Sequence, residues 1–341
     1  MSLENLFLSW QEFKKGKSER PDVMEFELYL EDNIFSLHNE LVNQVYRHGS
    51  YKTFYIQDPK PRRISKAKVR DRLVHHVVFN ELYRLFNPQF IYHSYSSRME
   101  RGTHLAVKNL AHCLRKVSRN YTRPAYALKC DIRKFFDSVS HQKLLELIKN
   151  KIKDRRFLWL VEEIVRSFSV VDKIEQGGAL HGLPIGNITS QIFANIYLNE
   201  LDQFIKHKLL VKHYFRYADD FIIVHSDPVY LQDLLYYIGE FLKNDLCLEL
   251  HPNKVRIRKL RQGIDFLGYV ILPHHIVLRT KTRGRMLRKL SEKHNLILDH
   301  KLEGSEFYQS IQSYLGLLGH CNGHELSNFI KNNYLYFKQG D

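Results

Sequence analysis

One pair of adjacent acids, Asp219 and Asp220, constrains the fold of this chain more than any other feature. The pair lies between two short β-prone runs, residues 214–217 and 221–224, so the pattern predicts a hairpin with the acids at its turn. Two carboxylates held this close repel each other unless a cation lies nearby. An isolated Asp-Asp pair is also typical of an ordinary solvated turn. Its meaning therefore depends on the rest of the chain.

A third acid, Asp131, follows another apolar strand candidate at residues 126–130. If the two strand regions are neighbours in one sheet, Asp131 converges with Asp219 and Asp220. Carboxylate oxygens are the ligands that Mg²⁺ prefers. The trio therefore predicts a site for two Mg²⁺ ions, which would activate a hydroxyl nucleophile and stabilise an in-line phosphoryl displacement.

Composition indicates the kind of partner. The 341 residues carry a formal net charge of +15, which favours a polyanion such as nucleic acid or an anionic membrane face. No apolar run approaches the roughly 18 residues that span a bilayer, and we expect neither a signal peptide nor a membrane partner. The four cysteines form no CxxC pair, which fits a reducing, cytoplasmic location.

The chain has three regions that differ in charge and in predicted secondary structure, and together they predict an α+β fold. Residues 1–124 are basic and mostly helical in pattern, with helical apolar spacing over Leu6–Phe13 and over Phe26–Leu37 and a basic hairpin near residues 58–65. Residues 125–275 alternate strands and helices. Residues 280–341 are helical and begin with a cluster of lysines and arginines.

Five segments, taken in order, resemble the motifs of reverse transcriptases. Tyr217-Ala218-Asp219-Asp220 looks like the family's YxDD box, and the other segments are residues 130–137, residues 182–191, Lys254 and residues 266–269. The resemblance implies a right-hand polymerase with fingers at 1–124, a palm of antiparallel sheet and helices at 125–275, and a small helical thumb at 280–341. It further implies cDNA synthesis from an RNA template, a DNA or RNA primer and dNTPs, with two Mg²⁺ ions that Mn²⁺ can replace.

The resemblance also implies roles at the reacting centre. Asp131, Asp219 and Asp220, with the backbone carbonyl of Ile132, would hold the metal ions. Lys254 would act as a general acid toward the leaving pyrophosphate, although an ordinary surface lysine is the alternative.

A second group of residues would bind the incoming nucleotide. By resemblance, Lys60 and Arg62 reach its triphosphate, a task that suits the fork of an arginine. Phe136 would pack beneath the sugar and exclude a 2′-hydroxyl. Ile185 and Gly186 would lie against the nascent base pair, and Ile185 stands where retroviral relatives carry glutamine. In those relatives the glutamine forms hydrogen bonds around the nascent base pair. Because an apolar side chain cannot form them, we predict low fidelity, with a tolerated variant of normal accuracy as the alternative.

The remaining residues would contact template and primer. Gln191 and Tyr217 are assigned there by resemblance. Phe266, Leu267, Gly268 and Tyr269 resemble the primer grip, for which a core strand is the alternative.

Within the family, the chain is most similar to reverse transcriptases of diversity-generating retroelements. The similarity rests on residues 69–76, Arg101-Gly102-Thr103-His104, Ile185-Gly186 with Ser190-Gln191, and the compact end near Gly319-His320. That subgroup implies a bacterial or phage source, an accessory helical-bundle protein, a structured template RNA and mutation at adenines. Two alternatives stay open: an antiphage defence enzyme acting on a dedicated noncoding RNA, and a non-catalytic RNA-binding scaffold.

Overall fold

The computed structural model describes residues 2–57, 61–170 and 180–335. The helices in these ranges are α1 (Leu3–Lys14), α2 (Pro21–Leu28), α3 (Leu30–Val42), α4 (Val69–Phe86), α5 (Thr103–Val117), α6 (Phe135–Ser138), α7 (His141–Lys151), α8 (Arg155–Arg166), α9 (Ile188–Gln203), α10 (Pro228–Leu246), α11 (Thr280–Leu298), α12 (Gly304–Leu318) and α13 (His324–Tyr334). The strands are β1 (Lys52–Ile56), β2 (Arg62–Lys66), β3 (Tyr126–Asp131), β4 (Tyr214–Tyr217), β5 (Asp220–His225), β6 (Arg256–Lys259), β7 (Ile264–Phe266), β8 (Tyr269–Leu272) and β9 (His275–Leu278).

The chain divides into two compact units. The first unit comprises Met1–Arg101, Cys130–Phe221 and Asp233–Val255, and the second comprises Gly102–Lys129, Ile222–Gln232 and Arg256–Asp341. The predicted boundaries of fingers, palm and thumb differ from the boundaries of these two units and stay a prediction. No helix in the described ranges is both long enough and apolar enough to cross a membrane.

The N-terminal helices follow from their apolar spacing. In α1, Leu6, Trp10 and Phe13 lie on one buried face, and the Ser2 hydroxyl caps the helix by accepting from the Asn5 amide at 3.3 Å. The second predicted helical stretch is interrupted, because Tyr29 leaves helical geometry (φ −121°, ψ 40°) between α2 and α3. The apolar spacing therefore continues through Tyr29, while the helical backbone conformation is interrupted there.

The basic hairpin is present as predicted. Strands β1 and β2 pair antiparallel from Lys52 opposite Lys66 to Ile56 opposite Arg62. Every residue of β1 is exposed, so the hairpin is anchored through β2, where Ser65 is buried. Lys60, which the sequence places between β1 and β2, lies outside the described residues.

The central sheet has the strand order β4-β5-β3-β6, which places β5 beside β3. Strand β3 pairs antiparallel with β6, with Tyr126 opposite Lys259. Strands β3 and β5 are each divided between the two units. The sheet brings the ends of the two acid-bearing strands together, as the sequence predicted.

In the first unit, α9 is the core helix, with twelve buried residues over Ile188–Gln203, and it packs against α4 and α7. In the second unit, β7, β8 and β9 form an antiparallel meander, α5 packs on β8, and α11 to α13 pack in sequence. An ion pair between Arg279 and Asp265 joins the start of α11 to β7.

Candidate active site

The turn that carries the adjacent acids is tight. Tyr217 ends β4, Asp220 begins β5, and Ala218 between them takes a left-handed conformation with φ +52°. That conformation costs a residue with a Cβ about 1–2 kcal/mol, so neighbouring contacts must hold the turn in shape.

Asp131 is fixed beside this turn by backbone hydrogen bonds. The Ile132 amide donates to the Asp219 carbonyl at 3.3 Å, and the His251 amide donates to the Asp131 carbonyl at 2.8 Å. Ile132 also forms an isolated antiparallel bridge with Leu250. The end of β3 is therefore held between the acid turn and the segment before Lys254.

Lys254 reaches the first acid directly. Its Nζ lies 2.6 Å from Oδ1 of Asp131, in a half-buried ion pair. The Lys254 amide donates to the His251 carbonyl at 3.1 Å, which places the side chain in a turn facing β3. The structure thus brings together Lys254 and Asp131, while the role of Lys254 toward pyrophosphate stays a prediction.

The acids and the nearby cations influence one another's charge, as the pKa shifts at this end of β3 indicate. Burial raises the pKa of the Asp219 carboxyl, the Asp131 carboxylate raises it further, and the cations of Lys254 and Arg62 partly oppose the shift. Burial likewise raises the pKa of the Cys130 thiol, with contributions from Asp220 and Asp131. The Arg62 cation on the hairpin thus lies within electrostatic reach of Asp219, while its role toward the nucleotide stays a prediction.

The side chains match a hard divalent cation in chemistry. Asp131 and Asp219 offer carboxylate oxygens whose mutual repulsion a cation would relieve. The described residues nevertheless contain no group of three histidine, cysteine, aspartate or glutamate side chains already arranged to hold a metal ion. Lys254 supplies the positive charge at Asp131. The three-carboxylate site and the Ile132 carbonyl ligand therefore stay predictions.

The segment at residues 182–191, a loop that leads into the first turn of α9, is fastened to the strand that carries Arg62. The Ser65 amide donates to the Ile185 carbonyl at 2.8 Å, and the Asn187 side chain donates to the Ser65 carbonyl at 2.7 Å. Gly186 has φ +117°, and a Cβ there would lie 2.8 Å from Cγ2 of Ile64. Only glycine combines that backbone with such a close approach.

The two phenylalanines after Asp131 differ in environment. Phe135 is a core residue, whereas Phe136 is half-buried, with their ring centroids 5.3 Å apart. The Leu183 amide donates to the Phe136 carbonyl at 2.6 Å, so the loop at residues 182–191 also contacts α6. These surroundings support Phe136 as the aromatic residue near the nucleotide sugar, a role that stays a prediction.

The residues assigned to template and primer have mixed surroundings. Gln191 is exposed at the start of α9, and Tyr217 is half-buried. In the second unit, however, Phe266 and Tyr269 are 0% and 1% exposed, so their side chains belong to the core.

The primer-grip prediction is therefore narrowed to the turn of β7 and β8. Leu267 and Gly268 take positive φ values of 49° and 90° there and are half-buried. The Tyr269 hydroxyl donates to the Leu317 carbonyl at 3.1 Å and lies 3.1 Å from Nδ1 of His104. Tyr269 is thus a packing residue of the second unit, and its buried hydroxyl finds the hydrogen-bond partners that it needs inside that unit.

One element of the site was missed in the sequence. Arg216 and Asp202 are both fully buried, and the guanidinium donates to the two carboxylate oxygens at 2.7 and 2.5 Å. The Tyr214 hydroxyl donates to the same carboxylate at 2.7 Å. The available signal was a single arginine inside an otherwise apolar strand, which requires a buried partner.

Comparison with known proteins identifies the family. Residues 56–271 match the family model described as reverse transcriptase (RNA-dependent DNA polymerase). The chain belongs to the reverse transcriptase family. The match covers every motif segment from Arg62 to Tyr269, so the predicted family is confirmed.

Two named relatives are similar to this chain over much of its length. Protein YkfC of Escherichia coli K12 is 25% identical, over 75% of this chain and 74% of its own length. The group II intron-encoded protein LtrA of Lactococcus lactis subsp. cremoris is 24% identical, over 71% of this chain and 50% of its own. The chain thus spans three quarters of one relative and half of the other.

Among solved structures, apo telomerase from Candida tropicalis superposes with a TM-score of 0.53 at 14% identity, covering 79% of this chain and 54% of the telomerase. A likeness at this identity concerns the fold alone. It confirms the predicted α+β polymerase fold of this reverse transcriptase.

Proposed function

We propose that this reverse transcriptase extends a primer 3′-hydroxyl with dNTPs on an RNA template, using two divalent ions at Asp131, Asp219 and Asp220. The observation that carries the proposal is the junction of β3 with the acid turn. The Ile132 amide reaches the Asp219 carbonyl at 3.3 Å, and the Asp131 carboxylate raises the pKa of the Asp219 carboxyl. Acids that repel each other at a buried strand end are suited to binding cations.

Asp131, Asp219 and Asp220 would hold the two ions, which when bound would supply Lewis-acid chemistry: a lower pKa for the 3′-hydroxyl and neutralisation of charge on the triphosphate. Arg62, whose cation acts on Asp219, orients the triphosphate from the hairpin. Lys254 holds a proton beside Asp131 and gives it to the departing pyrophosphate. Phe136 closes the sugar side and rejects a 2′-hydroxyl by its bulk.

We further propose that synthesis is error-prone and belongs to a diversity-generating retroelement. Ile185 supports this, because it lies in the loop fastened to β2 and offers no polar group to test the nascent pair. The proposal includes an accessory helical-bundle protein and a structured template RNA as partners, and a cytoplasmic location. The net charge of +15 suits the RNA partner.

Primer extension tests the activity. The full chain would be assayed on poly(rA) and on a heteropolymeric RNA, with Mg²⁺ or Mn²⁺, beside the Asp219→Asn variant, and the products would be sequenced. We expect metal-dependent DNA synthesis by the wild type only. Absence of dNTP incorporation under every condition, including added accessory protein and cognate RNA, would defeat the proposal and favour the scaffold alternative.

A further inference from the structure

A buried polar network lies behind the acid turn. Its centre is Arg216 on β4, which is fully buried, as is its partner Asp202 on α9. Burying an ion pair costs several kcal/mol of desolvation per ion, and a well-packed apolar pair is often as stable or more so. Stability alone therefore gives a weak reason for an arginine at this position.

The geometry of the guanidinium indicates what the arginine contributes. Two of its nitrogens are committed to the Asp202 carboxylate, at 2.7 and 2.5 Å. The third nitrogen points the other way, donating to the Asn195 side-chain oxygen at 3.2 Å and to the Ala218 carbonyl at 3.3 Å. One rigid fork thus joins the core helix to the acid turn.

The backbone of Arg216 is held as firmly as its side chain. Its amide donates to the His93 carbonyl at 2.9 Å, and its carbonyl accepts from the Tyr95 amide at 3.0 Å. The Asn195 side chain donates to the Ser96 carbonyl at 2.9 Å, which ties the same extended segment to α9. Arg216 is consequently fixed at both ends before it reaches Ala218.

Ala218 is the residue of the turn that most needs support, since it has a Cβ at φ +52°. Its carbonyl belongs to the planar peptide group that joins Ala218 to Asp219, so the orientation of that carbonyl fixes the orientation of the whole group. A donor fixed at that carbonyl therefore limits where the Asp219 and Asp220 carboxylates can lie. Outer residues that orient metal ligands commonly affect metal affinity in this way.

We propose that Arg216, oriented by Asp202, is a positioning residue that holds the Ala218 carbonyl so that Asp219 and Asp220 can take a divalent ion. This inference rests on the proposed metal site and adds a buried ion pair that keeps the ligands of that site in position. Arg216 touches neither substrate nor ion in this scheme. Its effect passes through the turn.

The test measures Mn²⁺ binding to the full chain without substrates, by loss of the free-ion signal in electron paramagnetic resonance, with melting temperature measured in parallel. Arg216→Lys keeps the charge but loses the fork. The control is Arg72→Lys, because Arg72 is also buried but is paired with Asp22 on α2 and not with a residue of α9 or of the acid turn. Asp219→Asn defines the binding that belongs to the site.

We expect Arg216→Lys to weaken Asp219-dependent Mn²⁺ binding by about tenfold or more, while Arg72→Lys lowers only the melting temperature. If Arg216→Lys does not fold, the double variant Asp202→Asn with Arg216→Gln replaces it, since that pair buries no unpaired charge. The same weakening is expected of the double variant.

Two results would overturn the proposal: unchanged Mn²⁺ affinity in the folded variant, or no Asp219-dependent Mn²⁺ binding by the wild type. Primer extension separates this inference from the proposed function. A wild type that binds Mn²⁺ through Asp219 yet makes no DNA would defeat polymerase activity and leave the positioning role standing.

Discussion

Asp219 is the residue at which stability and the proposed chemistry conflict. Its carboxyl is held in partly buried surroundings next to the Asp131 carboxylate, and its pKa is raised. The folded chain therefore binds a proton there more tightly than the unfolded chain does. The conformational stability contributed by this group is full below the ordinary pKa of an aspartic acid and falls as pH rises through the raised value.

Asp219→Asn should separate the two effects. We expect primer extension to fall by about 10³-fold or more, because a metal ligand is removed. We also expect the melting temperature at pH 7 to rise, since the desolvated charge is gone, and the difference from wild type to vanish near pH 3. Thermal unfolding as a function of pH checks this. A variant less stable than wild type at pH 7 would contradict the account.

Ile185 allows a second prediction at a single side chain. Ile185→Gln restores a polar group beside the nascent pair while the backbone carbonyl stays bonded to Ser65. We expect substitution errors at adenines to fall by about tenfold with little change in extension rate. Sequencing of cDNA from a defined RNA measures this. Equal error frequencies in variant and wild type would remove the fidelity argument and leave the family assignment intact.

At the scale of elements, the proposed function depends on how the segment at residues 182–191 attaches to β2. Three backbone and side-chain hydrogen bonds hold it to Ser65 and Ala67, and Gly186 packs directly on Ile64. Arg62 lies on the same strand. The residues predicted to bind the nucleotide are thus placed by strand β2 rather than by their spacing in the sequence.

Gly186→Ala should disturb this attachment. The new Cβ would lie 2.8 Å from Ile64 at a backbone φ of +117°, so we expect a loss of about 1–3 kcal/mol in unfolding free energy and a raised KM for dNTPs. The matched control is Gly239→Ala in α10, where no atom lies within 4 Å, and which should gain up to about 1 kcal/mol. Denaturant unfolding and steady-state kinetics measure both. Equal stability of the two variants would refute the packing argument.

At the scale of the whole molecule, a net charge of +15 predicts binding that depends strongly on salt. Helix α11 begins with a basic run in which Lys281 and Arg283 are exposed. By the family resemblance, we propose that this helix opens the thumb and faces duplex phosphates. Most of the affinity for nucleic acid should then come from released counterions and little from base contacts.

The double variant Lys281→Ala, Arg283→Ala tests that expectation. The slope of log Kd against log salt for a primer–template should decrease by roughly 0.7–0.9 for each phosphate that the variant no longer neutralises. The control replaces Arg84 and Arg166 by alanine, because these exposed arginines are already paired with Glu81 and Glu162 on their own helices. Fluorescence anisotropy across salt concentrations supplies the slopes, and a slope equal to that of the wild type would exclude α11 from the interface.

The sequence alone determined the features that depend on neighbouring residues. The helical face of α1, the β1–β2 hairpin, and the strands around Asp219 and Asp220 follow from apolar period and turn chemistry, which act over a few residues. The ordered motifs also sufficed to predict the family. The apolar period did not predict the break at Tyr29, where it continues although the helix is interrupted.

Tertiary structure decided which distant groups meet. The pairing of Lys254 with Asp131, the burial of Phe266 and Tyr269, and the reach of Arg216 from Asp202 to Ala218 depend on side chains brought together by sheet order and helix packing. Such contacts carry no local signature, because the cost of burying a charge or a hydroxyl is settled only by the partner that folding supplies.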